Sequence, residues 1–338
     1  MTGGALKLTV HFGESDRIGN HLLSDALLDT FAEHGLHAAV LLRAVEGFGL
    51  EQTLRTDRFL SLSEDLPLIA VAVDGPERIE RVLPHVTELL DGGLVTLERA
   101  ILLPAPTEPH EEAKVTLFVG RLDFMGVVDV LHRHGLAGAT VLPGVDGMAQ
   151  GQRRRARFFS RNQDVPALIE SVGTGDAVAA ALRELGEHAA MIERVRVCKR
   201  DGAMLAEPLA VPAEDESGLG IWQKLTVYAG EQARHAGSPL HVELIRRLRR
   251  AGASGATSVR GLWGFSGDHP PHGDRLFRVR RDVPVVTTIV DSPEAIRRWF
   301  RIVDECTDEH GLVTSELVPA FHAVAQGTRI GGLRLSRP

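Results

Sequence analysis

The stretch Leu6-Lys7-Leu8-Thr9-Val10-His11-Phe12-Gly13 decides the fold, because it occurs three times. It returns as Ala113-Lys114-Val115-Thr116-Leu117-Phe118-Val119-Gly120 and as Gln223-Lys224-Leu225-Thr226-Val227-Tyr228-Ala229-Gly230. Each copy reads Lys-x-Thr with a Gly six residues after the Lys. In the first copy Leu6, Leu8 and Val10 alternate with Lys7, Thr9 and His11. A period of two marks a strand with two unlike faces.

The match continues outward in register. Gly13 to Gly35 and Gly230 to Gly252 both span 22 residues, and Gly120 to Gly135 spans 15, a deletion of seven. The next spacing is 12 in all copies, ending at Gly47, Gly147 and Gly264. Asp-x-Pro follows each time, at Asp65, Asp164 and Asp282. A unit near 100 residues is a whole domain, not a solenoid repeat. Copy one takes residues 1–105, copy two 112–202 and copy three 221–324. Residues 203–220 read as a linker, and the Gly- and Arg-rich tail 325–338 as a frayed end.

Inside one copy the first strand is followed by a helix with Leu22, Leu23, Ala26, Leu27 and Phe31 at helical spacing. Gly35 ends it as a left-handed cap. In copy three Ser238-Pro239 is expected to open the same helix, with Ser as N-cap and Pro first in the helix. A second strand covers 38–44, and a third begins after Pro67, where a Pro is tolerated. A second helix carries Ile79, Val82, Leu83, Val86 and Leu89, and Ser292 caps its counterpart. A last strand runs 95–103. Strand, helix, strand, strand, helix, strand is the order of an α+β ferredoxin-like sandwich. Three such domains each leave one sheet face open, so they are expected to cover one another.

The 338 residues are 43% hydrophobic and 25% charged, with a formal charge of −7. That charge argues against a general nucleic-acid binder. The two cysteines, Cys198 and Cys306, rule out a disulfide scaffold and fit a reducing compartment. No secretory signal and no apolar span of membrane length are evident, so a cytoplasmic location is expected. No Gly-x-Ser-x-Gly, Walker or His-Glu-x-x-His motif occurs, which lowers the expectation of an enzyme.

Gly47-Phe48-Gly49 resembles the turn at the base of the flexible loop in PII-type signalling proteins. With Phe12-Gly13-Glu14-Ser15-Asp16 and Leu62-Ser63-Glu64-Asp65-Leu66-Pro67, the chain looks closer still to the PII-like branch catalogued as uncharacterised-function domain number 190. Copy three matches through Gly264-Phe265-Ser266-Gly267, and copy two, with Gly147-Met148-Ala149, is degenerate. The resemblance implies ferredoxin-like units around an axis, here a single-chain pseudo-trimer. It also implies a sensor that binds a small ligand, usually an adenine nucleotide, between units. Such a sensor signals through its loops to a protein partner, here expected to be a membrane transporter. Where PII proteins carry Gly-Asp-Gly-Lys before the last strand, this chain has Asp91-Gly92-Gly93-Leu94.

Ligand candidates follow. The Gly47-Phe48-Gly49 and Gly264-Phe265-Ser266 turns could offer backbone amides to an anion, or be turns needing positive φ. Arg43 and Arg260, four residues before each turn, could bind a charged ligand or face solvent. Asp65 and Asp282 could touch a ligand or cap a turn. Lys7, Lys114 and Lys224 hold equivalent positions and would converge near the axis as an anion site, unless they reach solvent. Arg153-Arg154-Arg155-Ala156-Arg157 could meet an acidic partner or be a solvated loop. His269 and His272 lack the further ligands of a metal site. The expected function is a non-enzymatic ligand-responsive regulator; the alternatives are a scaffold without a small ligand or a metal-binding domain protein.

Overall fold

The structure, a computed structural model, describes residues 4–57, 65–102, 112–120, 123–149, 151–154, 165–186, 188–267, 269–273 and 283–337. It is an α+β protein with six helices among the described residues. Copy one runs β1 (Gly4–Gly13), α1 (Leu23–Glu33), β2 (Ala38–Arg43), β3 (Pro67–Asp74), α2 (Pro76–Leu89), β4 (Gly93–Leu102). Copy two runs β5 (Ala113–Val119), α3 (Phe124–Arg133), β6 (Gly138–Ala149), β7 (Ala167–Gly173), α4 (Gly175–Leu185), β8 (Ala189–Arg194). Copy three runs β9 (Trp222–Gly230), α5 (Leu240–Ala251), β10 (Ala256–Arg260), β11 (Pro284–Asp291), α6 (Pro293–Cys306), β12 (Leu312–Val318). In each copy the first strand lies between the third and fourth, and the second pairs with the third, all antiparallel.

The alternation of β1 separates two environments. Leu6, Leu8 and Val10 are buried against Leu27, Phe31, Ile79, Val82 and Val86 of α1 and α2. The other faces of the three sheets meet each other. Val40, Leu42 and Val71 of copy one, Leu142 and Leu168 of copy two, and Val259 and Val286 of copy three form one shared apolar cluster. Burying this second face removes apolar surface that a lone copy would expose.

The sheets do not end at the borders of the copies. Among the described residues, copies one and two share a 13-stranded sheet, and copy three builds on an 8-stranded one. Two sets of pairings stitch them, and each set closes a cycle. Past the second strand, Glu46–Ser258, Gly47–Thr257 and Phe48–Ala256 join copy one to copy three. Trp263–Ser266 pairs with the start of β6 in copy two, and the end of β6 pairs with β2 of copy one. Past the fourth strand, Ile101 and Leu102 pair with β8, Arg196–Arg200 with β12, and Ala320–Val324 with β4.

Two local expectations are corrected. Ser238-Pro239 does not cap α5; it forms a two-residue strand with Arg234–His235, and the helix starts at Leu240 with no side-chain cap. By contrast Ser292 Oγ does accept from Ala295 N at 3.3 Å. The tail is not frayed. Thr328–Gly332 folds back as a hairpin on Ala320–Ala325, Leu333 and Leu335 pack on the copy-one core, and Arg337 N donates to Asp215 at 2.9 Å. Finally, copies one and three carry a small hairpin before the first helix, and copy two shows no counterpart among its described residues, which is where its seven-residue deletion falls.

Candidate ligand-binding site

Lys7, Lys114 and Lys224 meet at the centre, all buried. Each lies directly across the sheet from a glutamate of its own copy: Lys7 from Glu98, Lys114 from Glu193, Lys224 from Glu316. Each also reaches a glutamate of a neighbour. Lys7 Nζ is 2.5 Å from Glu193 and 3.4 Å from Glu98. Lys114 is 3.2 Å from Glu193 and bonds Glu316. Lys224 is 3.0 Å from Glu316 and bonds Glu98. The result is a closed ring of six alternating charges.

This ring corrects the anion reading. Three carboxylates balance three ammoniums, so no positive charge is left for an anion. The glutamate oxygens lie within 4.8 Å of one another, a spacing that could hold a metal, but the lysines already sit as the cations between them. Burial alone would raise the Glu193 and Glu316 carboxyls; Lys114 and its fellow lysines outweigh it and hold both below the usual range. Burial would likewise lower Lys114 and Lys224, and the glutamates outweigh it and raise both. The glutamates were missed in sequence. Their signal was there: Glu98, Glu193 and Glu316 hold one register position in the last strand of every copy.

The turn glycines act differently from either sequence reading. None of Gly47, Gly147 and Gly264 has positive φ. Each instead lets its strand approach a neighbour's backbone. A Cβ on Gly47 would lie 2.8 Å from Ala256 O, on Gly147 2.6 Å from Ala39 O, and on Gly264 2.1 Å from Ala139 O. The next residue is driven into the neighbour's core: Phe48 into copy three, Phe265 into copy two, Met148 into copy one. Phe265 also meets His132 edge-on, with ring centroids 4.8 Å apart.

The arginines are committed elsewhere. Arg43 forks onto Glu14 at 2.9 and 2.8 Å on the exterior. Arg260 repeats that pair with Glu231 at 2.8 Å, and lies 3.3 Å from Asp57. Neither lines either of the two cavities described below. Asp65 braces its loop, accepting from Ser15 N at 2.8 Å and pairing with Arg55 at 3.1 Å. Asp282, Asp164 and residues 155–157 lie outside the described residues. Arg153 pairs with Asp25, Asp29 and Asp146, at 2.7, 2.6 and 2.7 Å, tying copy two to α1. His272 Nδ1 bonds Pro270 O at 3.1 Å.

A cavity of about 350 Å³ opens between copies one and three. Copy one supplies the end of β1 (His11, Phe12, Gly13), the Phe48–Gly49–Leu50–Glu51 turn, and Asp91–Gly92–Gly93–Leu94. Copy three supplies residues 254–257, Thr288, Val290 and Phe321. The volume lies in the range of small-molecule sites. Burial, then Lys224 and Lys7, lowers His11 to about 4, so its imidazole is neutral at physiological pH. The matching seam between copies three and two keeps only about 50 Å³, lined by Tyr228, Glu170, Gly264, Phe265 and Ser266 among others. There Tyr228 Oη donates to Glu170 at 3.0 Å. Of the residues singled out in sequence, the structure brings Phe48 and Gly49 to the larger cavity, and Gly264, Phe265 and Ser266 to the smaller.

The comparisons agree with three copies. The family described as Uncharacterized ACR (DUF190) matches residues 5–102, 116–197 and 222–320. A UPF0166 protein of Aquifex aeolicus is 30% identical over 99 residues, 29% of this chain and 91% of that protein. A UPF0166 protein of Methanocaldococcus jannaschii is 29% identical over 91 residues, 27% of this chain and 83% of its own length. Each relative is thus about one repeat long. With most of its length matched in three tandem blocks, the chain belongs to the DUF190 family.

Proposed function

We propose that this chain is a PII-like pseudo-trimer of ferredoxin-like units and acts as a non-enzymatic, cytoplasmic sensor. It binds one small ligand in the cavity between copies one and three, and the adenine nucleotides and nucleosides are the first class to try. The observation that carries the reading is that cavity. It is walled by the base of the loop after β2 on one side and by the Asp91–Gly93 turn on another. The loop base is also tied to the neighbouring copy: Gln52 Nε2 donates to Ala253 O at 2.8 Å, and Arg249 Nε to Gln52 O at 2.6 Å. A ligand beside Phe48 and Leu50 would therefore shift the loop and the seam together. The partner, proposed as a membrane transporter, would read residues near 50–58 and 267–275. No described helix is long and apolar enough to cross a membrane.

Thermal melting with an adenosine, AMP, ADP and ATP panel tests this. A ligand at 100 times its Kd stabilises the fold by about 2.7 kcal/mol. The melting point should rise with at least one compound. It should not rise in Gly49→Trp, whose new side chain meets no atom at its Cβ and would fill the cavity mouth. No shift across the panel overturns the adenine reading, and an equal shift in Gly49→Trp places binding elsewhere.

A further inference from the structure

We propose that the cavity between copies one and three selects an uncharged, flat, largely apolar ligand, so that it takes a nucleoside in preference to a polyphosphate. This rests on the reading of the cavity as the ligand site. The charge of its wall points this way. Among the described residues, the acidic side chains there are Asp16, Glu51 and Asp91, and the basic ones Arg17 and Arg55. Arg55 is spent on Asp65 at 3.1 Å and stands 4.0 Å from Asp16. Arg17 donates to Asn20 O at 3.2 Å, on the exposed side. The backbone amide of Gly13, which could have met a phosphate, donates to Asp16 at 2.7 Å. No lysine lines the space, and the nearby Lys7 and Lys224 are held by glutamates. A phosphate chain needs charge-assisted donors, and this wall repels it.

The remaining lining suits a ring. Phe48 and Leu50 of copy one face the same space as Val290 and Phe321 of copy three. Among these apolar walls stand neutral polar groups: the His11 imidazole and the Thr53, Ser254, Thr257 and Thr288 hydroxyls. Neutral imidazole and hydroxyls each both donate and accept. That is the recognition set for the edge of an uncharged heterocycle, a few placed polar groups in an apolar cleft.

Calorimetric titration of the full chain with adenosine, AMP and ATP keeps the ring constant and varies only the charge. The proposal expects affinity to fall with each phosphate, by about tenfold or more from adenosine to ATP, with the gap narrowing as salt screens the acidic wall. Glu51→Lys, a change at an exposed position, should raise ATP affinity several-fold relative to that of adenosine. ATP binding as tightly as adenosine, or Glu51→Lys failing to help ATP, overturns this selectivity while leaving the site intact. Binding by none of the three overturns the adenine reading and this inference with it.

Discussion

Two seams of the same ring differ sevenfold in empty space, about 350 Å³ between copies one and three and about 50 Å³ between copies three and two. Their backbones are built alike. Gly47–Phe48 and Gly264–Phe265 pair with a neighbour's second strand in the same way, and Leu94 and Leu312 line the same flank. The difference lies in side chains. Where the open seam has His11 facing Thr288, the closed seam has Tyr228 bonded to Glu170. The third seam has Phe118, packed among the shared apolar residues around Val71. Duplication thus preserved the joint and let the space beside it diverge. A homotrimer cannot do this, because each of its seams is made by the same residues.

The harshest way to break the comparison is to remove what all seams share. Lys114→Met leaves Glu193 and Glu316 short of a counter-ion in the interior. Losing one partner of a buried pair costs about 3–5 kcal/mol. Urea unfolding checks this, and a loss below about 1 kcal/mol would mean water reaches the ring. The next test separates the seams. Gly264→Ala places a Cβ 2.1 Å from Ala139 O, whereas Gly47→Ala places one 2.8 Å from Ala256 O. Overpacking of this kind costs about 1–3 kcal/mol. Gly264→Ala should be the costlier of the two in the same unfolding assay, and the reverse order would refute close approach as the reason for these glycines.

A gentler change converts one seam into the other. Tyr228→His with Glu170→Thr gives the closed seam the residues of the open one. Calorimetry should then count a second adenosine per chain, and an unchanged count would show that the two side chains are not what closes it. The smallest effect is one of pH. His11 sits at about 4 in the fold, below its ordinary 6.5, so the fold favours the neutral ring. Its contribution is complete above pH 6.5 and is lost as pH falls from 6.5 towards 4. His11→Asn should flatten that part of the stability profile relative to the parent. Tyr228, raised by burial and Glu170, adds nothing in this window.

Much of this was legible in the chain. The period of two in β1 separated Leu8 from Lys7, and the three-fold recurrence of Lys-x-Thr implied that the lysines converge. The carboxylates that neutralise them were hidden because only sheet register puts Glu98 opposite Lys7, some ninety residues away. Arg43 and Arg260 looked available because Glu14 and Glu231, one residue past a strand, turn back only in three dimensions. Gly47 looked like a turn residue, since a sequence does not show the neighbouring strand it must admit. Ser238-Pro239 carried a sound helix-start signal that lost to pairing with Arg234–His235. The tail's glycines suggested fraying, but Leu333 and Leu335 had a core to join.

The central claim is that the seam between copies one and three is a ligand site and its counterparts are not. Titrating the full chain with adenosine in a calorimeter tests it most directly. One molecule bound per chain, abolished by Gly49→Trp, is the predicted result. Three equivalent molecules per chain, or one that binds undiminished in Gly49→Trp, would contradict it.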